Sequence, residues 1–191
     1  MNIRDHNNLF TKVRSGFTLI ELLIVIVISA TLIGLAVPSF QSFIKRNSLA
    51  TASDEIFTAI TYTRIEAIKR RTNVTFCAKN SDASNTCEPL AADADYANGW
   101  LVFLDCNNDG VFNTCDADGD SSTPNTTEQL LKTTEAYQGN ISITNNDNTI
   151  KSIKFGISGR VSVGSGTITI SSDATPFRTL GISRSGSAFF N

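Results

Sequence analysis

The apolar positions of the chain are concentrated in one uninterrupted run near its start. From residue 17 to residue 37 the only ionisable side chain is Glu21. At 1.5 Å of rise per residue, about 20 helical residues cross the roughly 30 Å hydrocarbon core of a bilayer. The run therefore predicts a transmembrane helix. The basic residues before it, Arg4, Lys12 and Arg14, favour a cytoplasmic N-terminus and export of the rest of the chain.

A cleaved secretory signal and a generic membrane anchor are the alternative interpretations of this run. A secretory signal has a shorter apolar core, of about 7–15 residues, and ends at small residues before a cleavage site. This run is longer, and no small-x-small site precedes the return of polar residues at Gln41. The pattern therefore favours a helix that is retained in the mature protein.

After Pro38 the apolar positions become periodic. A spacing of 3.6 residues predicts an amphipathic helix, whose apolar stripe contains Leu49, Ala52, Ile56, Phe57, Ile60, Ala67 and Ile68. Glu66, Lys69 and Arg70 are expected to lie off this stripe. Because Pro38 has no amide N–H to donate, we expect it to bend the helix rather than end it.

Short segments rich in Val, Ile, Thr and Phe fill the remainder of the chain, separated by Gly, Asn, Asp and Ser. They predict eight strands, over residues 73–79, 99–105, 129–134, 140–144, 149–155, 159–163, 166–172 and 177–183. The connections are too short for helical crossovers, so the pairing should be antiparallel. The predicted fold class is α+β. A long N-terminal helical spine, transmembrane in its first half and amphipathic in its second, packs on a C-terminal antiparallel β-sheet domain.

Composition narrows the range of functions that the chain could have. The chain carries 16 basic and 18 acidic side chains, a formal net charge of −2, so it has no overall positive field for nucleic acid. Its one histidine, His6, precedes the apolar run, which removes the commonest general base from the exported part. Neither a G-x-S-x-G motif nor a glycine-rich phosphate loop is evident. We therefore expect a protein that is not an enzyme.

All four cysteines follow the apolar run, at Cys77, Cys87, Cys106 and Cys115. In an oxidising compartment an even number suggests disulfides, and four cysteines allow three pairings. The paired C-x-x-C spacing of a zinc site is missing. Sequence neighbours would each close a short loop and contribute up to about 3 kcal/mol in the chain-entropy model. We predict this neighbouring pairing, and a cross pair such as Cys77–Cys106 is the alternative.

One stretch resembles the class III signal of type IV prepilins and type II secretion pseudopilins: residues 15–40, SGFTLIELLIVIVISATLIGLAVPSF. The resemblance implies that a prepilin peptidase cleaves after Gly16 and methylates the new N-terminus at Phe17. Glu21 is then the fifth residue of the mature chain, where this family carries a glutamate that pairs with the N-terminal amine of a neighbouring subunit. Pro38 lies where such helices are commonly bent.

Further segments resemble the GspH/FimT/FimU group of minor pilins and pseudopilins. They are YTRIEAIKRRTNVTFC at 62–77, NGWLVFLDCNNDG at 98–110, FGISGRV at 155–161 and FRTLGISRSG at 177–186. The whole resemblance implies a leader over residues 1–16, a transmembrane and fibre-core helix over 17–37, an amphipathic helical half over 38–72, and a β-sheet domain over 73–191.

The resemblance also implies a structural function. We expect a minor pilin of a type IV pilus, acting in assembly initiation or at the tip, and a tip subunit of a type II secretion pseudopilus is the alternative. The implied partners are other major and minor pilins, the prepilin peptidase and the bacterial inner membrane. The chain would cross that membrane once, with its C-terminal domain in the periplasm, and would be incorporated into a pilus or pseudopilus.

DNA is a further alternative partner. Some pilins similar to FimT capture DNA through a C-terminal Gly-Arg-x-Arg motif, but the matching place here reads Gly-Ser-Ala-Phe from Gly186. Residues 151–191 nevertheless hold Asp173 against five basic side chains, Lys151, Lys154, Arg160, Arg178 and Arg184, of which the three arginines are the candidate DNA contacts. Loss of the leader would leave 13 basic and 17 acidic side chains, a charge of −4, which opposes DNA binding. A solvated basic sheet edge is the simpler interpretation.

The sequence DCNNDGVFNTCD, residues 105–116, has the spacing of a calcium loop. Gly110 would supply the sharp turn. The candidate oxygen ligands are Asp105, Asn107, Asp109, the carbonyl of Val111, and Asp116. However, the two helices of an EF-hand are not predicted beside it, and Asp, Asn and Gly also suit ordinary turns. A calcium site and a solvated acidic turn both remain open, and the resemblance requires no cofactor.

Overall fold

The computed structural model of the chain describes residues 16–80, 87, 95–115, 126–138, 140–145, 152–172 and 175–191. The predicted leader lies outside the described residues except for Gly16. The chain forms two compact units, Met1–Ile44 and Lys45–Asn191. One α-helix, α1, spans Leu19–Arg70. It is continuous at Pro38, so the proline does not end the helix.

The first unit consists, in its described part, of the N-terminal portion of α1 and the three residues before it. The described side chains of residues 16–36 are all exposed. By length and composition, α1 is able to cross a membrane. The apolar run thus forms helix as predicted, and its described large apolar side chains are exposed.

The second unit contains eleven described strands, β1 to β11, and the 3₁₀-helix Tyr96–Asn98. The strands span Val74–Ala78, Trp100–Leu104, Thr114–Cys115, Thr126–Thr127, Leu130–Thr133, Ile141–Asn145, Ser152–Phe155, Val161–Val163, Gly166–Ser172, Thr175–Ile182 and Ala188–Phe190. A five-stranded sheet has the order β5-β2-β1-β7-β8, a four-stranded sheet the order β11-β10-β9-β6, and β3 pairs with β4. The pairings are antiparallel as predicted. The α+β fold class is confirmed.

One hydrophobic core joins α1 to both larger sheets. Its largest members are Trp100, Tyr96, Phe76, Phe155 and several isoleucines of α1, β6, β7 and β9. Burying one such side chain is worth about 1.5–3 kcal/mol, so this core holds the helix to the strands.

The buried stripe of α1 differs from the predicted one at its C-terminal end. Thr63 and Glu66 are buried, whereas Ile68 is 46% exposed. The expectation that Glu66 faces outward and Ile68 inward was wrong. The reason is helical geometry, because a stripe that passes through Ala59 and Thr63 reaches positions 66 and 67 next. Glu66 is tolerated there because Lys69 and Arg70 donate to its carboxylate, and the hydrogen bond from Arg70 lowers its pKa.

The second face of β1 is also covered. Cys77 packs with Cys87, Leu101 and Phe103 in a smaller apolar cluster, separate from the main core. All five residues of β1 are therefore buried. β1 is the central strand of its sheet, between β2 and β7, and it carries residues of both clusters.

Candidate functional site

The N-terminal segment forms a capping box. The backbone N–H and the hydroxyl of Thr18 both donate to the carboxylate of Glu21 at 2.9 Å, and the N–H of Glu21 donates back to Thr18 Oγ1 at 3.3 Å. Two otherwise unpaired groups at the start of α1 are thereby satisfied. The Ser/Thr-x-x-Glu spacing of this motif is visible in the sequence at Thr18 and Glu21. Glu21 therefore has a local partner one residue away from the predicted new N-terminus, Phe17.

The two disulfides join sequence neighbours. Cys77 is bonded to Cys87, with their Cα atoms 5.8 Å apart, and Cys106 to Cys115, with their Cα atoms 6.2 Å apart. The first bond lies over β1 and β2 in the smaller apolar cluster. The second closes the acidic loop that follows β2.

At the centre of the acidic loop the buried carboxylate of Asp105 pairs with a lysine. The ammonium of Lys154, on β7, lies 3.3 Å from Asp105 Oδ2 and also donates to the carbonyl of Asn108. The same carboxylate oxygen accepts the hydroxyl of Thr75 at 2.8 Å and the N–H of Gly110 at 3.1 Å. Asp105 Oδ1 is buried without a hydrogen-bond partner among the described residues. A fixed positive charge thus lies against the first predicted calcium ligand.

The other candidate ligands of the loop bond to one another. Asp109 accepts the amide of Asn107 at 2.8 Å, the amide of Asn113 at 2.9 Å and the backbone N–H of Val111 at 2.7 Å. Asn107 in turn accepts the N–H of Asp109. These are the local side chain–backbone bonds of a polar turn. Asp105, Asn107, Asp109 and Val111 lie in one loop. The fifth predicted ligand, Asp116, lies outside the described residues.

Glu128 holds this loop from the other side, and the sequence analysis did not identify it. Its two carboxylate oxygens accept the N–H groups of Cys106 at 3.0 Å and Asn113 at 3.1 Å, and its own N–H donates to the Asn113 carbonyl. Burial raises the pKa of Glu128 to about 7, against the opposing effect of the two N–H donors. Cys106 and Cys115 lie close by, but their sulfurs are joined in a disulfide, so this cluster offers no thiolate to a metal.

The three arginines that sequence analysis nominated as DNA contacts fall in two places. Arg178 forms an ion pair with Asp54 of α1 at 3.3 Å and stacks its guanidinium 4.8 Å from the centre of the Phe190 ring. Arg160 and Arg184 are exposed on two turns whose backbones touch, since the N–H of Val161 donates to the Arg184 carbonyl at 3.1 Å. The structure therefore does not combine all three into one basic surface.

A cleft of about 370 Å³ lies between α1 and β5. Asp54 and Glu55 of α1 line one wall, and Trp100 and Lys132 line the other. The Lys132 ammonium lies 5.6 Å from the centre of the Trp100 ring, and the indole N–H donates to the Tyr137 hydroxyl at 3.0 Å. The cleft is open and is lined by both acidic and basic side chains. The side chains that line it form no recognisable catalytic arrangement.

Comparison with protein families identifies the family of the chain. A profile described as type II transport protein GspH matches residues 52–186, more than half of the chain. The chain belongs to the GspH family. A prokaryotic N-terminal methylation motif matches residues 11–37, which contain Gly16, Phe17, Thr18 and Glu21. This GspH-family chain is therefore a type IV pilin-like protein of the minor pilin and pseudopilin kind, a family of structural subunits.

One solved structure shows the same fold. The crystal structure of the type IV minor pilin FimU of Pseudomonas aeruginosa matches with a TM-score of 0.52 at 18% identity, over 78% of this chain and 92% of FimU. A second crystal form of FimU gives a TM-score of 0.48 at 16% identity, over 74% of this chain and 91% of that one. At 18% identity, the first match shows that this chain and FimU share a fold.

Proposed function

We propose that the chain is a minor pilin of a type IV pilus, acting in assembly initiation or at the tip. One observation carries the proposal: a methylation motif leads directly into a helix segment whose large apolar side chains are all exposed. A contiguous apolar surface of this size needs lipid or other apolar helices around it. A pilin meets both environments, first in the membrane and then in the core of a fibre.

Glu21 supports an assembly function for this segment. A carboxylate within lipid costs about 2.5–3.5 kcal/mol on insertion scales, so its presence in an apolar run needs a compensating purpose. Cleavage after Gly16 would create an ammonium group on Phe17. In a low dielectric, that group and the Glu21 carboxylate of a neighbouring subunit attract strongly and only in the correct register.

The proposed location is the bacterial inner membrane, crossed once, with the second unit in the periplasm. The two disulfides in the second unit support exposure to an oxidising compartment. The proposed partners are the prepilin peptidase and other major and minor pilins, which would supply the apolar helices that surround residues 17–37 in a fibre.

A tip subunit of a type II secretion pseudopilus is the second candidate, and the description of the matching family supports it. Both candidates share processing, anchoring and fibre assembly. They differ in the subunits that surround the chain. Crosslinking from membranes, with mass spectrometry of the captured subunits, separates them: type IV pilus subunits support the first candidate and secretion subunits the second.

Processing gives the direct test of the proposal. In cells with an active prepilin peptidase, we expect mass spectrometry to find a mature chain that begins with N-methylated Phe17. Deletion of the peptidase should leave the leader attached. A chain that keeps its leader when the peptidase is active would contradict the assignment.

A further inference from the structure

Two tight turns meet at one corner of the second unit. The turn of residues 156–160 is closed by two backbone hydrogen bonds of 2.8 and 3.0 Å, and the turn of residues 183–187 by two of 2.9 Å. The N–H of Val161 then bonds the first turn to the carbonyl of Arg184 in the second, at 3.1 Å. The backbone on both sides of the junction is therefore fixed in advance of any binding event.

Glycines allow the two turns to approach this closely. Gly159 and Gly186 have φ angles of 73° and 87°, a region that side chains disfavour. A Cβ on Gly186 would lie 2.0 Å from the carbonyl oxygen of Gly159. The side chain of Arg64, from α1, passes beside this contact, with its Nε 3.2 and 3.1 Å from the two Cβ positions. The junction thus places α1 and both turns around one guanidinium.

Three arginines without a carboxylate partner among the described residues belong to this junction. Arg64 Nε is buried without a hydrogen-bond acceptor. Arg160 and Arg184 extend from the two turns into solvent. Within the part of the chain that the structure describes, no carboxylate pairs with any of the three. Burial of the Arg64 Nε–H without an acceptor is unfavourable, and the exposed Arg160 and Arg184 are the two arginines that a ligand oxygen can reach.

Apolar side chains accompany the arginines. Ile157, on the first turn, is 63% exposed, and Ile68, on α1, is 46% exposed. Ile68 Cδ1 lies 2.6 Å from the position that a Cβ on Gly159 would take, so this isoleucine packs on the same turn. We call the surface of Arg64, Arg160, Arg184, Ile68 and Ile157 the arginine corner.

We propose that the arginine corner is a subunit interface that receives a carboxylate flanked by apolar side chains on a neighbouring pilin-like subunit. This inference rests on the proposed function, since it requires a neighbouring subunit. Arginine presents a planar fork of donors that matches a carboxylate in two bonds. Arginine is also among the residues enriched at protein interfaces and at their energetic hot spots.

The same observations disfavour a nucleic acid as the occupant. After cleavage at Gly16 the chain would carry 13 basic and 17 acidic side chains, a net charge of −4, which repels a polyanion. Nucleic acid binding depends on many neutralised phosphates, whereas the corner offers three guanidinium groups, and Arg178 is engaged by Asp54. Contact with phosphates would not remove the exposed side chains of Ile157 and Ile68 from water, whereas an apolar protein surface would cover them.

Site-specific crosslinking in cells tests the proposal on the full chain. A photo-crosslinking amino acid at position 157 should form a product with a pilin-like subunit, at a peptide that contains Asp or Glu next to apolar residues. The double variant Arg160→Glu, Arg184→Glu should lower the yield of the crosslinked product about tenfold, because the introduced carboxylates would repel the carboxylate of the partner. Replacement of the partner's Asp or Glu by Lys should restore the crosslinked product in that variant.

The double variant Lys45→Glu, Arg46→Glu is the matched control. Both side chains are exposed on α1, and Arg46 lies 18 positions before Arg64, so this variant changes the charge equally but away from the corner. It should leave the yield unchanged. If the double reversal lowers the thermal midpoint, the milder Arg184→Gln variant carries the comparison, because this side chain is exposed.

Two outcomes would overturn the inference. One is a yield of crosslinked pilin-like subunit that the double reversal does not change, or no such product at all. The other is binding of fluorescent duplex DNA by the detergent-purified mature protein that the double reversal abolishes, which would assign the corner to nucleic acid. Wild-type protein in sheared fibres is scored separately. Its absence from fibres, with the crosslink retained, would contradict the proposed function and leave the interface standing.

Discussion

At the scale of single residues, the acidic loop is organised around Lys154. Its ammonium lies between Asp105 and the carbonyl of Asn108, and both charged side chains are buried. In a calcium loop the carboxylate of Asp105, at the first place, would face the metal. The lysine therefore supplies from within the chain a positive charge of the kind that a bound cation would bring, and the geometry favours the polar-turn interpretation over the calcium site.

We expect Lys154→Met to destabilise the second unit by about 3–5 kcal/mol, because it leaves the buried Asp105 carboxylate without a counter-charge. Lys132→Met is the control, since Lys132 is exposed and contacts aromatic rings; it should have a much smaller effect. Thermal melts of the solubilised protein measure both changes.

The same melts, with millimolar calcium and with chelator, test the metal. We expect no shift for the wild type and an upward shift for Lys154→Met, in which the carboxylate is free to bind a cation. An upward shift in the wild type would establish calcium binding despite the lysine.

Glu128 predicts a pH dependence of stability. Burial raises its pKa from the ordinary 4.5 to about 7 in the folded state, so the folded protein holds this proton more tightly than the unfolded chain. Its stabilising contribution is complete below pH 4.5 and is lost as the pH rises through about 7. Melts of the wild type and of Glu128→Gln between pH 4.5 and 8 should differ in slope, with the wild type falling more steeply.

Glu66→Gln is the control of opposite sign. Because the pKa of Glu66 is lowered by Arg70, its contribution is present above pH 4.5 and is lost on acidification. Removal of Glu66 should therefore flatten the acid side of the profile. Identical slopes for the wild type and Glu128→Gln would show that this carboxyl does not control the response.

At the scale of elements, the junction of the two turns is the most constrained contact. We expect Gly186→Ala to cost more than about 2 kcal/mol, because it combines a positive φ with a Cβ placed 2.0 Å from the Gly159 carbonyl oxygen. Gly156→Ala is the matched control on the same junction, since its Cβ would meet nothing nearer than 3.8 Å. Equal melting midpoints for the two variants would show that the turns can separate at little cost.

Local patterns predicted the elements better than their partners. Each of the eight predicted strands overlaps a strand of the structure, because alternation of β-branched residues is a local signal. Sequence analysis missed β3 and β4, which are two residues each, and β11, whose Ala188–Phe190 is too short for a pattern. It also expected one sheet where the structure has two larger ones. Strand order depends on contacts between distant residues, which one sequence does not display.

The candidate site likewise combines features that are encoded locally with features that depend on distant residues. The sequence of residues 105–116 indicated a polar loop after β2, since Asn, Asp and Gly favour turns locally. Lys154 and Glu128 could not be identified in this way. They reach the loop from β7 and from the residue that follows β4, 49 and 23 positions beyond Asp105, and neither belongs to a recognisable motif.

At the scale of the whole molecule, the two units meet different requirements. The first presents a helix surface that is stable only in lipid or among other helices. The second has a closed core and two disulfides, which suit an aqueous and oxidising surrounding. Under the proposed function the apolar helix would leave lipid for a fibre in one register, and Glu21 is the only ionisable side chain in the apolar run.

Glu21 has two candidate functions that mutation can separate. Within the chain it completes the capping box with Thr18, and between chains it would pair with the amine of Phe17. We expect Glu21→Ala to stay in the membrane, because removal of a carboxylate makes lipid insertion easier, and to enter sheared fibres about tenfold less. Thr18→Val is the matched control, since it weakens the cap, at a cost of about 1 kcal/mol, but keeps the carboxylate. It should enter fibres nearly as well as the wild type. Equal losses for both variants would show that capping governs assembly, and normal incorporation of Glu21→Ala would show that the charge pair does not.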